Sequence, residues 1–170
     1  VHGLNIKMLE KEGYEADDII GTLVRIGEEN NYKIIMVTGD KDFRQLISPR
    51  TSMWDSMKDR LTDYKTFKET CGIEPGQIIE VMGLAGDSSD NIPGVQGVGE
   101  KTALDLIRTY GTLEQVYKDL ERIPKKKLKE NLEADRDKAL LSKRLVTIEQ
   151  NVPLNLSLED LRIGQPDKEG

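Results

Sequence analysis

Residues 33–42 read Lys-Ile-Ile-Met-Val-Thr-Gly-Asp-Lys-Asp. The apolar part of this stretch ends at Gly39, as is typical of a strand that is buried on both faces of a sheet. Asp40 and Asp42 follow it directly, and α/β proteins place their functional side chains at the carboxyl ends of parallel strands. The stretch therefore predicts an α/β fold with a site where this strand ends.

The elements around this strand alternate between the strand and helix patterns. The spacing of apolar residues predicts strands at 5–9, 51–54 and 60–62 and helices at 15–29, 43–47 and 64–71. Asp63 is a suitable cap for the last of these helices, and Gly72 is a suitable end. This alternation indicates a parallel sheet.

The second half of the chain has only helical patterns. A helix starting near Pro75 and ending near residue 84 is followed by a glycine-rich stretch, and four further helices are predicted at 100–110, 113–120, 124–132 and 133–148. The polar residues from 151 onward predict a loose tail. We therefore divide the chain into a core at residues 1–85, a helical module at 86–150 and a tail at 151–170.

Composition excludes several classes of protein. The 170 residues include one cysteine and one histidine, so an internal disulfide, a structural zinc site and a Ser-His-Asp triad are all disfavoured. No apolar run approaches the ~20 residues of a membrane span, and no signal peptide pattern opens the sequence. We expect a cytoplasmic protein with no membrane partner, whose chemistry depends on carboxylates, lysines or a hard metal ion.

Charge is distributed unevenly along the chain. The net charge is −6, which by itself argues against nucleic-acid binding. Residues 1–96 carry 11 Lys and Arg against 17 Asp and Glu, whereas residues 97–150 carry 12 against 10. The second half also contains a lysine run at 125–129, which is either a solvated helix face or a contact for phosphates.

Three acidic clusters lie where predicted elements begin or end: Glu15, Asp17 and Asp18; Asp40 and Asp42; and Asp87 and Asp90. Each cluster has a structural alternative, namely a helix-dipole contact, a capped turn and an Asx turn, respectively. If the fold brings all seven together, they would need cations to offset their repulsion. Oxygen ligands without His or Cys select Mg²⁺ or Mn²⁺, and two such ions support in-line displacement at phosphorus. The clusters therefore predict nuclease chemistry.

A glycine-rich segment at residues 94–103 places Gly97-Val98-Gly99 directly before a predicted helix. Glycines allow close backbone approach, and a helix N-terminus attracts anions, so the segment suits a nucleic-acid backbone. A simple connecting turn explains the pattern equally well. The spacing matches neither a dinucleotide fingerprint nor a P-loop.

Four motifs together resemble the 5′-nuclease domain of bacterial DNA polymerase I, within the flap endonuclease superfamily. They are Glu15-Ala-Asp-Asp18, Gly39-Asp-Lys-Asp42, the segment at 86–95 and the segment at 97–103. The resemblance implies a PIN-like parallel-sheet nuclease core, with its N-terminal part missing, followed by an all-helical helix-three-turn-helix DNA-binding module.

The resemblance also implies roles for individual residues. The metal ligands would be Glu15, Asp17, Asp18, Asp40, Asp42, Asp87 and Asp90, of which all but Glu15 are catalytic carboxylates. The DNA-binding hairpin would comprise Gly97, Val98, Gly99, Lys101 and Thr102, with K⁺ bound beside it in this family. Two Mg²⁺ or Mn²⁺ ions are the implied cofactors.

The implied function is a structure-specific 5′→3′ exonuclease or flap endonuclease that hydrolyses DNA phosphodiester bonds in replication and repair. Its expected partner is duplex DNA with a 5′ flap, a nick or a 5′ end, and its expected location is the nucleoid. The resemblance is compatible with a polymerase domain fused in the parent chain. Because the family begins with a strand and a helical arch that have no counterpart here, we expect weak turnover. The alternative is a non-catalytic fragment that binds duplex DNA.

Overall fold

The computed structural model describes residues 6–164, which form two compact units. One unit combines the residues up to Ile34 with those from Ile148 onward, and the other comprises Ile35–Thr147. None of the helices in the described part of the chain combines the length and the apolar character that a bilayer crossing requires.

The first unit is built around helix α1, Ala16–Glu29, which buries Ile19 and Val24. The chain beyond Ile148 lies along this helix, where the Val152 backbone N–H donates to Thr22 Oγ1 at 3.0 Å. The prediction of a loose tail from residue 151 is therefore wrong at Val152, which is 4% exposed. Residues 6–9 have no regular structure, so the strand expected there is also wrong, and residue 5 lies outside the described residues.

A three-stranded sheet opens the second unit, with strands β1 (Ile34–Val37), β2 (Thr51–Asp55) and β3 (Arg60–Thr62) in that order. Met53 lies opposite Thr62 in an antiparallel pair, because the connection at 56–59 is too short for a parallel crossover. The α/β class is confirmed, whereas the parallel description is wrong for this pair of strands.

Among residues 6–164, one face of strand β1 is covered and the other is exposed. Met36 is buried, but Ile35 and Val37 on the opposite face are each 61% exposed. The prediction of a strand buried on both faces is therefore wrong for the described residues. A continuous apolar run does not show whether one face or both faces of a strand are buried, so the sequence could not predict the exposed face of β1.

The 3₁₀ helix between β1 and β2 and the helix after β3 lie close to where the sequence predicts helices. A 3₁₀ helix occupies Lys41–Leu46, and helix α2 occupies Tyr64–Cys71. The Asp63 carboxylate accepts from the Thr66 N–H at 2.8 Å at the start of α2, and Gly72 ends the helix with a φ of +66°. Both boundary predictions are confirmed.

Five helices complete the second unit: α3 (Ile78–Ala85), α4 (Glu100–Tyr110), α5 (Leu113–Lys118), α6 (Lys126–Ala134) and α7 (Arg136–Val146). Helix α3 packs against α4 and α7, and Leu84 on it is fully buried. The last two helices meet at Asp135 rather than at residues 132–133, because the Asp135 carboxylate accepts from the Gln96 N–H at 2.9 Å and pairs with Lys138 at 2.7 Å.

Candidate functional site

A short loop after α3 carries Asp87 and Asp90. The Asp87 N–H donates to the Ile92 carbonyl at 2.9 Å, and the Ile92 N–H donates to the Asp87 carbonyl at 2.7 Å. These reciprocal bonds close the loop, and Asp87 Oδ1 accepts from the Ser89 N–H at 2.8 Å. The Asx turn expected from the sequence is thus present, and it fixes the buried side chain of Asp87.

Asp40 and Asp42 lie at the start of the 3₁₀ helix that follows β1. Asp40 Oδ1 accepts from the Asp42 N–H at 3.0 Å, so Asp40 caps this helix, and Asp40 is exposed. The structural alternative for Asp40 is therefore realised. The negative charge of Asp40 still acts on the neighbouring carboxylate of Asp42.

Three of the predicted ligands come together in the second unit. Asp42, Asp87 and Asp90 each offer one carboxylate oxygen, and these oxygens lie within 4.8 Å of one another. Asp42 Oδ1 is buried, and it has no hydrogen-bond partner among residues 6–164. Burial, with the nearby charges of Asp40 and Asp87, raises the pKa of Asp42 to about 6. Clustered carboxylates with an unsatisfied buried oxygen are suited to a bound cation.

A cleft of about 490 Å³ lies beside this cluster, and it is lined by cations as well as carboxylates. Lys41 Nζ lies 2.7 Å from Asp87 Oδ2. This contact is the main cause that lowers the pKa of Asp87 and raises the pKa of Lys41. Lys58 also lines the cleft, and its Nζ lies 3.1 Å from Asp55 Oδ2.

Glu15, Asp17 and Asp18 lie in the first unit, at the start of α1. Asp18 Oδ2 accepts from the Glu15 N–H at 3.3 Å, which is one half of a capping box, and Asp18 Oδ1 accepts from the Glu149 N–H at 2.9 Å. Both oxygens of Asp18 therefore have structural partners. The convergence of all seven carboxylates stays a prediction.

The glycine hairpin precedes α4, and its backbone is held from two sides. Gly97 has a φ of +74°, while the Gln96 carbonyl accepts from Asn131 Nδ2 at 2.8 Å and the Gln96 N–H donates to Asp135. Gly97 and Gly99 are exposed, but the Val98 side chain is buried. Any contact of Val98 with a nucleic acid would thus involve its backbone.

The remaining hairpin residues, Lys101 and Thr102, lie in the first turn of α4. Lys101 is exposed and Thr102 is half-buried. Gly99 is the N-cap residue of α4 and supplies no capping side chain, so the first N–H groups of this helix are suited to an outside acceptor.

Two features of the site were not assigned by the sequence analysis. The first is the contact of Gly86 with Gly94, where a Cβ on Gly94 would lie 2.3 Å from the Gly86 nitrogen. The second is the pair Lys41–Asp87, because the sequence predicts no role for the lysine between Asp40 and Asp42. The alternation of charge in Asp40-Lys41-Asp42 was the available signal for this second feature.

Comparison with protein families gives two matches that divide the chain between them. Residues 1–72 match the family described as 5'-3' exonuclease, N-terminal resolvase-like domain. Residues 73–169 match the family described as 5'-3' exonuclease, C-terminal SAM fold.

Curated relatives include DNA polymerase I of Bacillus caldotenax, which is 44% identical over 169 residues, covering 96% of this chain and 19% of the relative. DNA polymerase I of Bacillus subtilis is 44% identical over 161 residues, covering 92% of this chain and 18% of the relative. The chain therefore spans about a fifth of the length of these relatives.

Solved structures with a similar fold include the bacteriophage T5 D15 protein co-crystallised with metal ions. It has a TM-score of 0.72 and 23% identity, and the match covers 83% of this chain and 52% of that chain. The catalytic core of Rad2 in complex with DNA substrate has a TM-score of 0.62 and 17% identity, covering 99% of this chain and 58% of that chain. At these identities the likeness concerns the fold alone.

Proposed function

We propose that this chain, which belongs to the 5'-3' exonuclease family, contributes the divalent-metal site of a structure-specific 5′→3′ exonuclease or flap endonuclease. The reaction would be hydrolysis of DNA phosphodiester bonds in replication and repair. The observation that carries the proposal is the approach of Asp42, Asp87 and Asp90, whose ligand oxygens lie within 4.8 Å of one another.

The donor set fits Mg²⁺ or Mn²⁺. All three ligands are carboxylates, which hard cations prefer, and the buried Asp42 Oδ1 has capacity for a further partner. Asp40 adds a fourth negative charge beside Asp42. A second ion, with Glu15, Asp17 and Asp18 of the first unit as ligands, belongs to the same proposal on the resemblance of the sequence motifs alone. When bound, two ions supply an activated water and stabilise the charge of the leaving oxygen.

Duplex DNA is the proposed substrate, bound by the hairpin at Gly97–Gly99 and by Lys101 and Thr102. The exposed glycines and the first turn of α4, which has no capping side chain, would bind a phosphate without reading the base sequence. A K⁺ ion beside the hairpin and a 5′ flap, nick or 5′ end in the DNA belong to the same proposal. A nucleoid location also belongs to this proposal. So does a polymerase domain in the parent chain, since the relatives are named DNA polymerase I.

A second candidate function is binding of duplex DNA without cleavage. The observation that favours it is the fixed hairpin, which Asn131 and Asp135 hold independently of the acidic cluster. In that case the carboxylates would bind metal without supporting turnover.

Paramagnetic broadening by Mn²⁺ tests the metal site directly. In an NMR titration of the chain, we expect the signals of Asp40, Asp42, Asp87 and Asp90 to broaden first. The variant Asp42→Asn should weaken Mn²⁺ binding at least tenfold, because it removes a charge and a ligand oxygen. Asp105→Asn, an exposed aspartate on α4, is the matched control and should leave the affinity unchanged. Broadening spread evenly over all acidic residues would refute the site.

Cleavage of a labelled 5′-flap duplex separates the two functions. The proposed nuclease should produce Mg²⁺-dependent product that Asp87→Asn abolishes, while both proteins bind the duplex in Ca²⁺. Binding without any product in Mg²⁺ or Mn²⁺ would support the second candidate instead.

A further inference from the structure

Lys41 makes the closest contact to the acidic cluster among the ion pairs of residues 6–164. Its Nζ lies 2.7 Å from Asp87 Oδ2. The Asp87 side chain is 2% exposed, whereas the Lys41 side chain is 50% exposed and reaches the cluster from the cleft. Asp87 Oδ1 already accepts from the Ser89 N–H, whereas Oδ2 is buried and has the ion pair with Lys41 as its contact.

A divalent ion bound to Asp87 Oδ2 needs the space that the ammonium fills. Mg²⁺ lies about 2.0–2.1 Å from its carboxylate ligands. Asp87 Oδ2 exposes less than 1 Å² of its surface, so a second partner has no approach to this oxygen while Lys41 is beside it. Two cations that share one carboxylate oxygen also repel each other strongly at such a short distance.

We infer that Lys41 is a built-in counter-ion of the acidic cluster, which a divalent ion must displace from Asp87 when it binds. The inference rests on the proposed function, because it takes Asp87 as a metal ligand. While no ion is bound, Lys41 offsets the charge of Asp87 and of the neighbouring Asp42. Because an incoming ion must break this contact, Lys41 lowers the affinity of the site for the ion. The lysine thereby sets the ion concentration at which the site fills.

The other lysine of the cleft provides a matched control. Lys58 Nζ pairs with Asp55 Oδ2 at 3.1 Å, and the Asp55 side chain is 4% exposed. This pair has the same chemistry and lines the same cleft, but Asp55 is not a member of the metal-ligand cluster. Replacing Lys58 therefore removes an equal charge without freeing a ligand.

The first measurement is the dissociation constant for Mn²⁺, obtained by electron paramagnetic resonance on the whole chain. We expect Lys41→Met to bind Mn²⁺ about tenfold more tightly than the unmodified chain, because no resident cation has to be displaced. Lys58→Met should change the constant by no more than about twofold, through long-range charge alone. Lys41→Arg keeps the charge and should restore an affinity close to that of the unmodified chain.

The second measurement is the melting temperature of the same proteins with and without saturating Mn²⁺. Without the ion, Lys41→Met should melt below the unmodified chain, because the cluster has lost its counter-ion. With saturating Mn²⁺ this difference should vanish, since Asp87 then binds the ion in both proteins. Any shift caused by Lys58→Met should be the same under both conditions. Lys41→Gln serves as a second neutral variant if Lys41→Met does not fold.

The outcomes distinguish this inference from the proposed function. Mn²⁺ binding by the unmodified chain with equal or weaker binding by Lys41→Met would overturn the inference and leave the metal site intact. Failure of the unmodified chain to bind Mn²⁺ would overturn both. Tighter binding by Lys58→Met equal to that of Lys41→Met would also overturn it, because a general charge effect would then explain the result.

Discussion

Gly86 and Gly94 lie back to back at the base of the loop that carries Asp87 and Asp90. Gly86 has a φ of +69° and Gly94 a φ of +58°, a region that side chains with a Cβ rarely adopt. A Cβ on Gly94 would lie 2.3 Å from the Gly86 nitrogen and 2.6 Å from the Ala85 carbonyl carbon. The position of Asp87 in the cluster thus depends on two residues that have no side chain.

The variant Gly94→Ala tests this contact. We expect it to lower the free energy of unfolding by about 3 kcal/mol, through backbone strain and the clash with Gly86. Urea denaturation measures this loss. Gly76→Ala is the control, because a Cβ there would meet nothing within 4 Å, and its effect should stay within about 0.5 kcal/mol. Equal effects of the two variants would contradict the packing argument.

The sequence identified the residues of the cluster better than it identified their support. Asp87 and Asp90 were predicted from residue type and position, because carboxylates beside turn residues are visible in the sequence. Gly86 and Gly94 must both lack a side chain because a reversal of the chain brings their backbones into contact. No local sequence pattern predicts this contact. The pair Lys41–Asp87 escaped for the same reason, since its members are distant in the sequence.

At the scale of elements, α3, α5 and α7 meet at a half-buried lysine, Lys143. Lys143 on α7 pairs with Glu80 on α3 at 2.8 Å and with Glu114 at the start of α5 at 2.8 Å. Glu80 also accepts from the buried Leu113 N–H at 3.0 Å. This network joins three helices through one cation, and helix periodicity predicted the helices but not their polar junction.

The variant Lys143→Met should lower the free energy of unfolding by about 3 kcal/mol, because it leaves the Glu80 carboxylate buried without its cation. Thermal and urea denaturation measure the loss. Lys65→Met is the control, because the pair Lys65–Glu69 is exposed at both ends and should contribute at most about 0.5 kcal/mol. Equal losses in the two variants would show that burial does not matter here.

The difference in stability between the unmodified chain and Lys143→Met should also depend on pH. Burial alone would lower the pKa of Lys143, but its contacts with Glu114 and Glu80 outweigh burial and raise the pKa above its ordinary value of 10.5. The Lys143 contact lowers the pKa of Glu114 below 4.5. The stability gap to Lys143→Met should therefore be constant between about pH 5 and 10, shrink as the pH falls below 4.5, and vanish as the pH rises well above 10.5. A gap that grows at either extreme would contradict this assignment.

Helix α4 has the boundaries that the sequence predicted, and the hairpin before it allows a test of DNA binding. Gly97→Val should weaken binding of a duplex at least tenfold, because a β-branched side chain is strained at a φ of +74° and blocks close approach of a phosphate. Fluorescence anisotropy over a salt series measures the affinity. Gly111→Val imposes a similar strain at the other end of α4, where φ is +86°, and should leave the affinity unchanged. Equal affinities for both variants would exclude the hairpin from DNA binding.

At the scale of the whole molecule, the first unit is formed by segments from the two ends of the chain. Asp18, Thr22 and Arg25 on α1 bond to backbone groups of residues 149–152. The polar composition of the segment after residue 150 predicted a loose tail. The prediction failed because the bonds that hold this segment use its backbone, and backbone bonds leave no apolar pattern in the sequence. The helical part of the second unit, by contrast, has long periodic segments, and its helices were predicted with small errors at their ends.

The variant Thr22→Val tests whether this joining of the two chain ends maintains the first unit. Valine fills the same volume but leaves the buried Val152 N–H without its acceptor, so the unit should lose about 1–3 kcal/mol of stability. Hydrogen exchange is the measurement, and amides of α1 and of Val152 should lose protection while those of α3 and α7 keep it. Thr109→Val is the control, because the Thr109 hydroxyl is exposed and bonds only within α4, to the Asp105 carbonyl. If Thr22→Val lowered protection equally along the whole chain, the first unit would unfold together with the second rather than on its own.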